Sequence, residues 1–201
     1  MSHRVVLATR NKHKVAELRR ILDGSGMDIE LVGTEEFADL PDVAETGATF
    51  AANALLKAKD VAQRTGLVAI ADDSGLCVDA LNGMPGILSA RWAGKHGDDL
   101  ANLELVLAQL ADVPQSRRGA AFHCAAAVAT PEGDERVVEG VLEGTLIDSP
   151  RGTNGFGYDP IFTPRGYVLT TAELTPEEKD AISHRGQAFR ALVPVLAEMM
   201  P

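Results

Sequence analysis

Four stretches of this 201-residue sequence carry residue types that can do chemistry. The first is Thr9-Arg10-Asn11-Lys12-His13-Lys14. Backbone N–H groups at a helix start, with lysines beside them, make a phosphate cradle. The segment is not a P-loop, because the glycines and the Lys-Ser/Thr pair are missing. The same residues also read as an N-cap asparagine followed by solvated basic residues. The second is the acidic set Glu45, Asp72 and Asp73. Mg²⁺ takes oxygen ligands, usually one or two carboxylates with phosphates and waters. Asp72-Asp73-Ser74-Gly75 fits a turn or a helix cap equally well. The third runs from Arg151 to Pro160, where three glycines frame Phe156, Tyr158 and Asp159. The chain has only six Phe, two Tyr and one Trp, so two aromatics in one glycine loop point to stacking on a base rather than to a core. The fourth is Lys179 with Ser183-His184-Arg185-Gly186, either a solvated helix face or a set of donors for a base carbonyl.

These residues need elements to position them. Arg4 to Thr9 reads as a buried strand, followed by a helix with Val15, Leu18, Ile21 and Leu22 on one face and Gly24 at its end. Ile29 to Val32 is a second strand, and an acidic loop spans Glu35 to Glu45. A helix is expected from Thr49 to Arg64, stopped by Gly66. Leu67 to Ala71 reads as a central strand that delivers Asp72, Asp73 and Ser74 at its C-terminal end, where ligands collect in open α/β sheets. Asp98 or Asp99 would cap a helix carrying Leu100, Leu103, Val106, Leu107 and Leu110. From Gly119 to Ile147 two antiparallel strands are expected around the turn 130 to 134, in a second sheet region or lobe. Thr175, Pro176 and Glu178 form a capping-box start. Gly186 is expected to interrupt the helix that follows, before a last helix with Phe189, Leu192, Val193 and Leu196 that accommodates Pro194.

Composition bounds the class. At this length one domain buries roughly 70% of the surface its unfolded chain exposes. Hydrophobic residues make up 45% and charged residues 24%, a globular balance without repeats or low-complexity tracts. The formal charge of −10 argues against a nucleic-acid partner, which needs a basic surface. A small phosphorylated ligand needs only a few local cations and a bound metal. The apolar run Val5 to Thr9 is too short for a signal-peptide core or a membrane span, so a cytoplasmic protein without a membrane partner is expected. Cys77 and Cys124 stand in no ligand or redox spacing and read as buried free thiols.

Taken together, these segments resemble the inosine triphosphate pyrophosphatase family, the Ham1-like non-canonical purine NTP pyrophosphatases. The resemblance rests on Thr9 to Lys14, Glu45 to Phe50, Asn53 to Ala58, Ala71 to Leu76, Pro85 to Arg91, Gly155 to Pro160 and Lys179 to Gly186, in that order. It implies one domain over residues 1–201 with an α/β fold: an elongated, twisted mixed β-sheet flanked by helices, with two lobes and a cleft between them. It also implies a Mg²⁺-dependent homodimer that hydrolyses ITP, dITP and XTP to the monophosphate and pyrophosphate, cleansing the nucleotide pool. By the same resemblance, Thr9, Arg10, Asn11, Lys12, His13 and Lys14 form a substrate-binding segment. Within it Thr9, Asn11 and Lys14 hold the triphosphate, assisted by Lys57. Glu45 and Asp73 serve the metal, Asp73 also accepting a proton from the attacking water, and Ser74 contacts substrate. Phe156 stacks on the purine, with Gly157, Tyr158 and Asp159 beside it, and Lys179, His184 and Arg185 read its 6-oxo edge. Donors aimed at a 6-oxo group would meet the adenine amino group donor against donor, at about 1 to 3 kcal/mol for each unpaired group.

Two positions depart from the family pattern. Arg10 stands where many members have glycine, and Ala52 where glutamate is usual. Loss of that glutamate would weaken metal binding or would cost only a capping box with Thr49. A nucleotide sensor that binds without cleaving is the reading from another class. A pyrophosphatase for other altered nucleotides, such as modified pyrimidines, is the nearest competing enzyme.

Overall fold

The computed structural model describes residues 3–24, 26, 28–37 and 40–200. Helix α1 (Lys12–Asp23) connects strands β1 (His3–Leu7) and β2 (Ile29–Gly33), and α2 (Phe50–Thr65) leads into β3 (Val68–Val78). Then come α3 (Asp99–Gln109), β4 (Gly119–Ala129), β5 (Glu135–Leu146), β6 (Phe162–Pro164), α4 (Pro176–Ile182) and α5 (His184–Met199). The strands form one mixed sheet in the order β2-β1-β3-β4-β5-β6, with β1 parallel to β2 and to β3 and β5 antiparallel to β6. The two strands expected between Gly119 and Ile147 are therefore neighbours in this one sheet. Of the acidic loop expected from Glu35 to Glu45, Ala38 and Asp39 lie outside the described residues.

The chain divides into two compact units, one of Met1–Asp73, Cys124–Gly140 and Arg185–Pro201, the other of Ser74–His123 and Val141–His184. In the first unit, side chains alternate between the faces of the sheet, as the two-residue period of a strand requires. Val5, Leu7, Ile70, Cys124, Ala126 and Val128 meet Leu18 and Leu22 of α1 and Ala188, Phe189, Leu192 and Leu196 of α5. Their chain neighbours Val6, Ala69, Ala71, Ala125 and Ala127 meet Ala54, Ala58, Val61 and Ala62 of α2. Both faces are covered, which explains why β1 and β4 read as continuous apolar runs. The α2 side is almost entirely alanine, so the helix backbone lies close to the sheet and its longer polar side chains reach β3. The second unit is built on Leu76 and Val78 of β3, Leu103, Val106 and Leu110 of or just after α3, and Phe122, Leu146, Ile161 and Phe162.

Two expectations change. Strand β3 does not stop at Ala71 but runs to Val78, so Asp72, Asp73 and Ser74 lie inside a strand and not at its end. The last helices part at Ser183, which adopts extended backbone with ψ 152°, and α5 then runs through Gly186. Ser183 donates its N–H to the Lys179 carbonyl, which closes α4 and leaves Gly186 in helical backbone, where its cost is only about 1 kcal/mol. The capping box of Thr175 and Glu178 forms as expected, and Pro194 lies within α5. Among the described residues no helix is long and apolar enough to cross a membrane.

Leu192 of α5 is fully buried while Val168 is 83% exposed. Leu192→Ala is therefore expected to cost about 2 to 5 kcal/mol in denaturant unfolding, and Val168→Ala less than about 0.5 kcal/mol. Equal effects in the two variants would contradict this core assignment.

Candidate active site

Consecutive residues on a strand point to opposite faces, and this separates the two aspartates at the centre of β3. Asp72 shares the face of Ile70 and meets α1 and α5. Asp73 shares the face of Ala69 and Ala71 and meets α2. Asp72 has a fully buried side chain, and its Oδ2 lies 3.0 Å from Lys14 Nζ and 3.2 Å from Arg185 Nη2. Arg185 also donates from Nη1 to Glu17 at 2.5 Å. Burial alone would raise the Asp72 pKa, but the charges of Lys14, Arg185 and Lys57 outweigh it and hold the carboxyl far below its ordinary range. The Arg185 guanidinium, opposed by burial, is held above its ordinary value by Asp72 and Glu17.

On the other face, Lys57 joins three groups. Its Nζ lies 2.8 Å from Glu45 and 3.8 Å from Asp73 Oδ1, and donates to the Asp72 carbonyl at 2.7 Å. Burial opposes its charge, yet Asp72, Asp73 and Glu45 hold its pKa above the ordinary value. Asp73 behaves oppositely to its neighbour. Burial raises its pKa, the Glu45 charge adds to this, and the attraction of Lys57 only partly offsets it. Asn53, one turn before Lys57 on α2, donates to Asp73 Oδ2 at 3.0 Å and accepts from the Gly47 N–H at 2.7 Å. The cluster's ion pairs join four carboxylates, Glu17, Glu45, Asp72 and Asp73, to three cations, Lys14, Lys57 and Arg185. Among the described residues no group of three or more His, Cys, Asp or Glu is placed to hold a metal. Glu45 and Asp73, converging on one ammonium, are the hard-oxygen pair that fits a divalent cation carrying phosphate and water as its other ligands.

The helix-start loop is shaped by its own side chains. Asn11 caps α1 by accepting from the N–H groups of His13 and Lys14 at 3.0 and 3.2 Å, and its own N–H donates to Thr9 Oγ1 at 3.2 Å. Lys12 and His13 are exposed. Arg10 turns to the acidic loop, pairing with Asp42 at 2.9 Å and donating to the Leu40 carbonyl. Thr49 caps α2 through the Ala52 N–H at 3.1 Å, so this cap stands without a glutamate at position 52.

In the second unit, Asp159 is the hub of the glycine loop. Its Oδ2 accepts from Lys179 Nζ at 2.6 Å and from the Phe156 N–H at 2.9 Å, and its Oδ1 accepts from Thr171 Oγ1 at 2.8 Å. Lys179 Nζ lies 5.2 Å from the centre of the Phe156 ring, within cation–π range. Ser74 is half-buried in β3. Three residues expected against substrate have partners within the protein. Tyr158 is a core residue, 4% exposed, whose hydroxyl donates to the Ser89 carbonyl at 2.8 Å. His184 is buried and stacks on Phe122, ring centres 4.9 Å apart. Arg185 faces Asp72 and Glu17, because successive helical residues diverge by about 100°. Sequence reasoning missed Glu17, Asn53 and Asp99, which accepts from the Gly157 N–H at 2.8 Å. For the first two a signal was present: Glu17 is three residues from Lys14 and Asn53 four from Lys57, spacings that share a helix face.

Because the folded Asp72 pKa lies below the unfolded one, its ionised form contributes stability that is fully present above about pH 4 and is lost as pH falls toward the folded value. Wild-type protein should therefore lose stability in acid, and Asp72→Asn should start less stable at pH 7 and lose less on acidification. Parallel pH profiles of unfolding midpoint for the two proteins would refute this.

Known proteins share this sequence and fold. The Ham1 family model matches residues 5–195. A dITP/XTP pyrophosphatase of Streptomyces coelicolor is 64% identical over 197 residues, covering 98% of each chain. A Ham1 protein from Coxiella burnetii superposes with a TM-score of 0.88 at 45% identity, covering 98% of this chain and 99% of that one. A nucleoside-triphosphatase / dITP/XTP pyrophosphatase from Mycobacterium abscessus superposes with a TM-score of 0.77 at 59% identity, covering 95% and 99%. With a matching family model over almost its whole length and relatives of this identity, the chain belongs to the Ham1 family.

Proposed function

We propose that this protein hydrolyses non-canonical purine nucleoside triphosphates, ITP, dITP and XTP, to the monophosphate and pyrophosphate. The observation that carries the reading is the divided pair Asp72 and Asp73: on one face of β3 Asp72 anchors Lys14, and on the other Asp73 meets Lys57 and Asn53. Asp72 holds Lys14 in place through a 3.0 Å ion pair, and Lys14 and Lys57 then meet phosphate oxygens, with Thr9 and Asn11 shaping the loop. Phosphoryl transfer is catalysed largely by positioning and charge stabilisation, so fixed ammonium groups contribute without covalent chemistry. Asp73 accepts the proton of the attacking water. Asn53 orients it by holding Oδ2, and a carboxylate so placed can orient a water that a bound metal would acidify. Glu45 and Asp73 would hold Mg²⁺, which supplies charge neutralisation on the phosphates and acidifies a bound water.

Phe156 stacks on the purine, and Lys179 and His184 serve its 6-oxo edge. Arg185 enters through Asp72, whose carboxylate it shares with Lys14. Homodimerisation, a cytoplasmic setting and the absence of a nucleic-acid partner belong to the same reading. The relatives named dITP/XTP pyrophosphatases support it, as does the intact Thr49 cap beside Ala52, which limits what the missing glutamate costs.

Incubation of the purified protein with ITP and Mg²⁺ should release IMP and pyrophosphate, while tight ITP binding without turnover would favour a sensor. Turnover on XTP should resemble that on ITP and exceed that on GTP and dUTP; equal rates on all four would sink the base readout. Asp73→Asn should lower kcat by more than about a hundredfold with nucleotide binding retained. A carboxyl with a raised folded pKa contributes stability below its unfolded pKa and loses it as pH rises through the folded value. At pH 7 the Asp73 charge therefore weakens the fold, and Asp73→Asn should unfold at the same or a higher temperature than wild type. Near-wild-type turnover in that variant would move the base elsewhere.

A further inference from the structure

From the first turn of α3 we infer that Asp99 is a positioning residue for base recognition: it holds the Phe156 loop in its working shape by accepting the Gly157 N–H. The inference rests on the function proposed above, with Phe156 as the surface that stacks on the purine. Two neighbouring acids begin α3, and only one is needed as its cap. Asp98 takes that role, accepting from the Ala101 N–H. Asp99 instead reaches across 58 positions of chain and accepts from the Gly157 N–H at 2.8 Å.

That bond is placed where the loop has least stiffness of its own. Phe156 lies between Gly155 at φ +74° and Gly157 at φ +62°, two left-handed glycines that leave its orientation undetermined by local backbone preference. Two carboxylates supply the missing constraint from outside. Asp159 Oδ2 takes the Phe156 N–H at 2.9 Å and Asp99 Oδ2 takes the next N–H in the chain. Successive amides captured by separate carboxylates fix the peptide plane between them, and with it the direction in which the Phe156 ring leaves the backbone. Tyr158, next along, is anchored in the core through Ser89, so the loop is held on both sides of Gly157. Asp159 is itself tied to Lys179 and Thr171, whereas the constraint from Asp99 reaches the loop independently of them.

The test compares Asp99→Ala and Asp99→Asn in the full-length protein. The alanine variant should raise KM for ITP about tenfold while kcat stays within about threefold. Its Gly157 amide should exchange with solvent at least about tenfold faster than in wild type. Asparagine keeps an oxygen acceptor of the same size, so Asp99→Asn should bring KM back within about threefold of wild type. An unchanged KM in Asp99→Ala, a fall confined to kcat, or no rescue by asparagine would overturn the inference, because a merely structural role would not split KM from kcat. If the wild-type protein fails to turn over ITP, the proposed function falls, and amide exchange still judges the constraint: unchanged Gly157 protection in Asp99→Ala overturns it as well.

Discussion

A carboxylate with no exposed surface in the middle of a strand has to be neutralised where it stands, and Asp72 imposes that requirement on everything packed around it. Its oxygen is shared by Lys14 from the first helix and Arg185 from the last, and the surplus on Arg185 is taken up by Glu17. Helices at opposite ends of the chain are thereby tied to one atom of β3. The same ion pair fixes Lys14 in the first turn of the first helix.

The second constraint is the two-residue period of the strand. It sends Asp73 to the face that Asp72 does not occupy, toward an alanine-lined helix close enough for Asn53 and Lys57 to reach it. Two carboxyl groups adjacent in sequence thus acquire opposite chemistry from their surroundings. Three cations outweigh burial at Asp72, while at Asp73 burial and Glu45 prevail over Lys57. Pushing the pKa values of neighbouring acids apart is how one fold can keep one acid as an anchor and the other as a base.

Much of this was legible from residue order. Helix starts came from caps that can be read directly, Asn11, Thr49 and Thr175 among them, because a short polar side chain satisfying first-turn amides is a local interaction. The strands of the first unit announced themselves as apolar runs, since both of their faces are covered. What failed was local reasoning about endings. Asp-Asp-Ser-Gly resembles a turn, yet β3 continues through it, because cations from distant helices neutralise the first acid. Gly186 resembles a helix stop, yet Ser183 is the break. Tyr158 resembled a loop aromatic free to stack, and the tertiary fold gave it a core and a carbonyl partner.

The order of residues by itself determined which groups can do chemistry here, which helix faces they share, where the helices begin and that the fold is α/β. Each of these depends on interactions within a few residues, or on motif content. Which acid has its pKa lowered and which raised, where Arg185 spends its donors, and which of Asp98 and Asp99 caps α3 were decided only by tertiary structure. Those outcomes depend on burial and on partners up to 168 positions away, and the desolvation and Coulomb energies that settle them exist only once the chain has folded.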